Sequence, residues 1–193
     1  VKLNIFYFYY RQNYIFTSVL LQKLQMTNIG LLSDTHGFLD PKVYEYFKNC
    51  DQIWHAGDIG STSIVEDLRA FKETKIVYGN IDSKEVRNLT DETMLFRVEN
   101  KTVLMTHIGG YPPKYNKTSI PLLNEHQPDI FVCGHSHILK VISDPKRKGL
   151  LHLNPGAAGK SGFHKVRTLL RFCIDGDQIK NMQVIELDIK KPR

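Results

Sequence analysis

The run "NIGLLSDTHG", Asn28–Gly37, joins two kinds of sequence in ten residues. Its first six residues form a short, mostly apolar block that reads as a buried strand, and "DTHG" breaks that block as a loop. The same pairing recurs downstream. "QIWHAG" (52–57) reads as a second strand with the loop "DIGS", and "KIVYG" (75–79) as a third with the loop "NIDS". Helical patterns separate them. "DPKVYEYFKN" (40–49) is expected to be a helix with Asp40 at its N-cap and Pro41 in its first turn. "STSIVEDLRAFK" opens on capping residues and places Ile64, Val65, Leu68 and Phe71 at helical spacing. A β-α-β-α-β run of this kind predicts a parallel sheet built by right-handed crossovers.

The second half is richer in strands. "TMLFRV" and "TVLMTH" flank "ENK" as a hairpin, "SIPLLNEHQ" reads as a short helix, and "DIFVCG" as the strand after it. "ILKVISD", "LLHLN", "VRTLLRFCI" and "IKNMQVIEL" follow, with "DGDQ" (175–178) turning between the last two. This half is expected to be mostly antiparallel. Together the halves predict an α/β fold: a four-layer α-β-β-α sandwich of two mixed sheets flanked by helices. Residues 26–193 are expected to form a single domain, and residues 1–25 an N-terminal extension, either a start-site artefact or a dispensable arm. That extension has two apolar runs split by Arg11, Gln12 and Asn13, and neither is long enough to span a membrane.

Composition narrows the function class. The 193 residues carry a formal charge of +6. Without Lys2, Arg11 and Lys23 of the extension, 23 basic face 20 acidic residues. A balance of +3, with no basic stripe studded by aromatics, leaves no nucleic-acid footprint. The densest basic run, "PKRKG" (145–149), reads as a solvated hairpin tip. Cys50, Cys133 and Cys173 are widely spaced and form no CxxC pair, which points away from disulfides and thiolate zinc and towards a reducing, cytoplasmic setting.

Polar clusters mark the strand ends. Asp34 and His36 follow the first strand, Asp58 the second and Asn80 the third; His107 follows "TVLMT", and His135 and His137 follow "DIFVC". Each alone has an ordinary reading: GD and GN are common turn dipeptides, and a lone histidine is more often structural. "GHSH" by itself could be a core pair, an acid–base pair or two metal ligands. As an ordered set they are more informative, because ligands of α/β sheets bind beyond the carboxyl ends of the strands. Carboxylate, amide oxygen and imidazole suit borderline divalent metals. Seven candidates exceed the needs of one ion and fit two that share a carboxylate.

The ordered motifs D-x-H, G-D, G-N, H and G-H-x-H resemble those of the calcineurin-like metallophosphoesterase superfamily. "SDTHG", "HAGDIG", "GNID", "THIGG", "GHSH" and "LNPGAAG" narrow the resemblance to its small phosphodiesterases of the YfcE type, over Met26 to about Leu187. The resemblance implies that Asp34, His36 and His137 hold one metal, that Asn80, His107 and His135 hold a second, and that Asp58 bridges them. It further implies hydrolysis of a small phosphodiester by a bridging hydroxide, with Asp58, His107 and Asn80 at the chemistry. Manganese is the expected metal, with zinc, iron or nickel as alternatives. "NPGAAG" (154–159) is expected to be a structural turn near the site.

Where many relatives read G-N-H, Ile81 follows Asn80 here, so the usual proton donor to the leaving group is missing. The expectation is a preference for good leaving groups, or a proton from His55 or a metal-bound water; lying inside a strand, His55 reads equally as a residue that orients the site or as a buried structural histidine. The resemblance also reaches the small retromer subunit, a protein-binding scaffold of the same fold, which stands as the alternative function. Phosphoprotein and dinucleoside-tetraphosphate phosphatases are less similar, since "GDIGSTS" and "GNIDS" depart from their motifs. The sequence leaves room for a homo-oligomer.

Overall fold

The computed structural model describes residues 26–189, with side chains as far as Leu187. The expected N-terminal extension lies outside the described residues. The strands are β1 (Thr27–Leu32), β2 (Gln52–Ala56), β3 (Glu73–Val77), β4 (Thr93–Val98), β5 (Lys101–Thr106), β6 (Gly110–Tyr111), β7 (Lys114–Tyr115), β8 (Ile130–Val132), β9 (Leu139–Asp144), β10 (Leu150–Pro155), β11 (Val166–Asp175) and β12 (Gln178–Ile189). The α-helices are α1 (Lys42–Phe47), α2 (Thr62–Phe71), α3 (Lys84–Leu89) and α4 (Ser119–His126).

Two five-stranded sheets form, in the orders β12-β11-β1-β2-β3 and β4-β5-β8-β10-β9. In the first, β1, β2 and β3 are parallel, as the β-α-β-α-β pattern predicts, while β11 and β12 join antiparallel. In the second, β5, β8 and β10 run parallel, and only the edge strands β4 and β9 are antiparallel. The expectation of a mostly antiparallel second half therefore needs correcting at the centre of that sheet. α4 lies in the connection from β5 to β8, and a crossover of that kind returns the chain in the same direction.

Side-chain alternation builds the layers. Ile29 and Leu31 of β1 pack with Trp54, Val103, Met105, Val132, Leu153 and Phe172 between the sheets. Leu32 and Ile53 face the other way, onto Val43 and Phe47 of α1, Ile64, Val65 and Leu68 of α2, and Val86 of α3. Leu123 of α4 covers Leu104, Phe131 and Leu150 on the far side. Two mixed sheets with helices outside give the α-β-β-α order. Trp54 ties the inner layers together, with its ring edge-to-face to Phe96 at 5.1 Å and to Phe172 at 5.7 Å.

Local chemistry adjusts the element ends. Ser61 caps α2 by accepting from the Ser63 N–H. α1 is shorter than expected, and Pro41 rather than Asp40 stands at its N-cap; Asp40 instead uses one oxygen to accept the Lys42 N–H and the other to pair with Arg167 at 2.8 Å. α3 was not expected, since six residues are too few to display a period; Ser83 caps it and Val86 buries it. β1 must contain a glycine, because a Cβ at Gly30 would stand 2.6 Å from the ring carbons of Phe47. Gly30→Ala is expected to cost about 1–3 kcal/mol of overpacking, read as a lower urea midpoint with an unchanged slope.

Candidate metal centre

The carboxyl ends of β1, β2, β3, β5 and β8 supply the five loops, and backbone hydrogen bonds lace them together. The Asp34 N–H donates to Gly57 O, the His36 N–H to Asp58 O, and the Gly134 N–H to His107 O, all within 3.0 Å. The His135 N–H donates to Asp34 Oδ2. As expected, the "NPGAAG" turn packs beside the site: the Gly159 N–H donates to Asp34 O and the Ala158 N–H to Ser33 O.

Six of the seven candidates form two groups, Asp34/His36/His137 and Asp58/His107/His135, each with its donor atoms within 4.8 Å of one another. Asp58 lies between them. Its Oδ1 is 3.2 Å from His107 Nε2, and its Oδ2 is 3.8 Å from His36 Nε2. Asn80 is exposed, next to Ile81, whose N–H donates to Asp58 Oδ1. His135 is exposed as well, while Asp34, Asp58 and His107 are buried.

Five of these residues have left-handed backbones: Asp34 (φ 56°), His36 (48°), Asp58 (53°), His135 (66°) and His137 (56°). A non-glycine residue held there costs on the order of 1–3 kcal/mol. Such strain concentrates where side chains must be aimed, and here it turns them onto one face.

The donor set fits divalent cations. Asp34 Oδ1 and His107 Nε2 are buried without a hydrogen-bond partner. His107 Nδ1 lies 2.7 Å from Ala56 O, an acceptor only, so Nδ1 carries the proton and the neutral ring leaves Nε2 bare. That lone pair faces a carboxylate oxygen at 3.2 Å, an arrangement a cation between them satisfies. The two groups also shift each other's protonation. Burial disfavours the Asp58 carboxylate, but His107, the Ile81 N–H and His36 outweigh it and hold its pKa below the ordinary value. Burial likewise disfavours the His107 imidazolium, but Asp58 and Asp34 outweigh it and raise its pKa.

Two supporting groups emerge that the strand-end pattern does not mark. Asp82, buried, accepts N–H bonds from Ile59 (3.1 Å), Gly60 (2.7 Å) and Gly79 (2.7 Å), clamping the loops after β2 and β3 together. His164, in the loop before β11, touches His137. His55 corrects an expectation. It is fully buried, with Nε2 2.9 Å from Thr35 Oγ1 and Nδ1 accepting the Gly57 N–H, so it holds the loop between Asp34 and His36 and cannot hand a proton to a substrate.

Burial pushes His55 down to about 4, and His152, also buried, down to about 4 from the ordinary 6.5. Below pH 6.5 the unfolded chain binds protons that these folded rings refuse. Stability is therefore expected to fall as pH drops from 6.5 towards 4, by up to about 3 kcal/mol per ring. Urea midpoints across that range test this, and His152→Leu should remove part of the slope.

Among the described residues, no helix is long and apolar enough to cross a membrane. The three cysteines are buried and free. The basic run at 145–149 is a turn between β9 and β10, where Lys148 donates to Gln127 and Arg147 to Asn124.

Known proteins share this architecture. A probable metallophosphoesterase of Methanothermobacter thermautotrophicus is 29% identical over 136 residues, covering 67% of this chain and 76% of the relative. A Streptococcus pneumoniae protein, described in its structure as a predicted phosphoesterase, superposes with TM-score 0.65 at 21% identity, covering 86% of this chain and 93% of its own. Vacuolar Protein Sorting 29 of Cryptosporidium parvum superposes with TM-score 0.66 at 19% identity, covering 84% of this chain and 98% of its own. At these identities the two superpositions speak for the fold. The profile of the calcineurin-like phosphoesterase superfamily domain matches residues 27–177, from β1 to the turn after β11 and across every loop that feeds the two donor groups. With fold, motif order and profile in agreement, the chain belongs to the calcineurin-like phosphoesterase superfamily.

Proposed function

We propose that the chain is a phosphodiesterase working with two divalent ions, one held by Asp34, His36 and His137, the other by Asn80, His107 and His135, with Asp58 between them. The observation that carries this reading is the position of Asp58, whose two oxygens face different donor groups. Divalent ions bound there supply Lewis acidity, lowering the pKa of a coordinated water and offsetting phosphoryl charge. The protein's own share is positioning. Ala56 O keeps His107 Nε2 bare, and the His135 N–H fixes Asp34 Oδ2 so that Oδ1 is left for the ion. Manganese is the metal to try first, and the cytoplasm the expected setting.

A cleft of about 340 Å³ beside His135 supports a diester over a monoester. It is lined by Ile108, Tyr111, Lys114 and Ser136 among others, and Lys140 Nζ sits 3.8 Å from the centroid of the Tyr111 ring. A monoester needs only the metal centre, whereas a diester brings a second organic group for which this cleft is the adjacent space. Ile81, 47% exposed next to Asn80, cannot protonate a departing alkoxide, so esters with acidic leaving groups are favoured. The test is a hydrolysis screen of cyclic nucleotides, chromogenic diesters and monoesters with manganese, zinc, iron or nickel. Diester turnover dependent on two bound ions is expected, and monoesters turned over faster than every diester would overturn the assignment.

The scaffold reading rests on the likeness to vacuolar protein sorting 29, which is a likeness of fold. Against it stand the two donor groups Asp34/His36/His137 and Asp58/His107/His135. Tight capture of a protein partner with no metal-dependent turnover would favour it.

A further inference from the structure

We propose that His164 is a positioning residue that sets the tautomer of His137 and so presents His137 Nε2 to the metal. The inference rests on the two-ion reading for its consequence, though its geometry is independent of it. His164 Nε2 lies 3.0 Å from Gly159 O. A carbonyl only accepts, so this nitrogen carries the proton of the neutral ring. His164 Nδ1 is then a bare lone pair, and it lies 3.3 Å from His137 Nδ1. The two nitrogens can bond only if His137 donates, which places the His137 proton on Nδ1. The far nitrogen, His137 Nε2, is left unprotonated, 3.2 Å from Asp34 Oδ1 and 3.2 Å from His36 Nε2. Asp34 Oδ1 is itself without a hydrogen-bond partner.

The chain around the pair is built for this contact. Gly162, at φ +109°, packs against both rings, and a Cβ there would stand 2.5 Å from His137 Cε1 and 3.2 Å from His164 Nδ1. One residue serves two of the group's three ligands: the Gly159 N–H holds Asp34 O at 3.0 Å, while its carbonyl orients His164 and through it His137. The rings meet edge-on, with centroids 5.2 Å apart and planes at 71°. His107 achieves the same end through Ala56 O directly. The two donor groups thus use two devices for one purpose, a backbone carbonyl for one imidazole and a second imidazole backed by a carbonyl for the other. Partners of this kind orient a ligating histidine and raise its basicity, and losing one typically costs 10–100-fold in metal affinity.

The test compares wild type with His164→Phe, which keeps a ring and removes both nitrogens, and with His164→Asn, which can restore an acceptor near Nδ1. Long-range proton–nitrogen correlation spectra of the metal-free protein at pH 8 read the His137 tautomer directly. The Nδ1–H form is expected in wild type and in the Asn variant, with a shift towards Nε2–H in the Phe variant. Metal titration by calorimetry should then show one of the two ions bound about 10–100-fold more weakly by the Phe variant, with the other unchanged and partial recovery in the Asn variant. The inference is overturned if wild-type His137 is protonated on Nε2, or if the Phe variant changes neither tautomer nor affinity. Failure of the two-ion reading looks different: wild type would take up fewer than two ions, while the spectra would still decide the role of His164.

Discussion

Asp58→Asn is expected to lower metal-stimulated diester hydrolysis by on the order of 10³-fold or more. The substitution keeps the shape of the side chain and can keep an oxygen for the Ile81 N–H, 3.1 Å away. It cannot keep the charge. Asp58 is the carboxylate that both histidine groups approach, and an amide would turn its NH₂ towards one of them in place of an anion. Thermal unfolding gives a second readout that needs no substrate. A ligand at 100 times its dissociation constant stabilises a fold by about 2.7 kcal/mol, so manganese should raise the wild-type melting temperature and leave the variant's almost unmoved. A variant that hydrolysed diesters at the wild-type rate with manganese would sink the proposed mechanism.

Asp82→Ala is expected to give the largest loss of stability among the residues around the site. Removing this carboxylate strands the buried N–H groups of Ile59 and Gly79 and takes the partner of a third, partly buried one at Gly60. Stranded donors cost about 1–3 kcal/mol each when they cannot reach water. Partial relaxation of the loops brings the expected total to roughly 3–5 kcal/mol, or a melting temperature about 10 °C lower. Asp82→Asn should fall between, because one oxygen remains. Manganese affinity should drop with the Ala variant as well, since the loops carrying Asp58 and Asn80 lose the clamp that holds them side by side. A melting temperature within about 2 °C of wild type would show that the three amides find other partners.

Asp58 and Asp82 also show what a sequence displays and what it conceals. Asp58 is visible because it ends an apolar block and has counterparts at the ends of four others, so its meaning comes from a repeated position. Asp82 sits in "NIDS" and looks like any turn aspartate; that it reaches back to the loop after β2 depends on how closely β2 and β3 pack. His164 is concealed for a related reason. "SGFHK" lies at no strand end of the parallel set, and only the folding back of the β10–β11 connection brings it to His137. The layers were legible because alternation along β1 and β2 sorts side chains between helix and sheet. The sheet that receives the last hairpin was not, since "VRTLLRFCI" and "IKNMQVIEL" announce a pair of strands without saying which edge they will meet. The parallel centre of the second sheet escaped for the same reason: strand direction is a property of the connections.

The seat of β11 has a consequence for synthesis on the ribosome. β1 pairs on one side with β2, soon after it in the chain, and on the other with β11, where Ile29 stands opposite Phe172. A nascent chain that has released β1, β2 and β3 still has one flank of β1 unpaired, and it stays so until β11, which ends at Asp175, has emerged. Such an edge invites wrong partners. Asp34 waits with it, because Gly159, which secures its carbonyl, belongs to the same late segment. A chain arrested before β11 is therefore expected to bind hydrophobic dyes and chaperones, and one extended past Asp175 to shed them. Closing the sheet and finishing the pocket for the ions then become one late step, so that only a fully made chain can be armed.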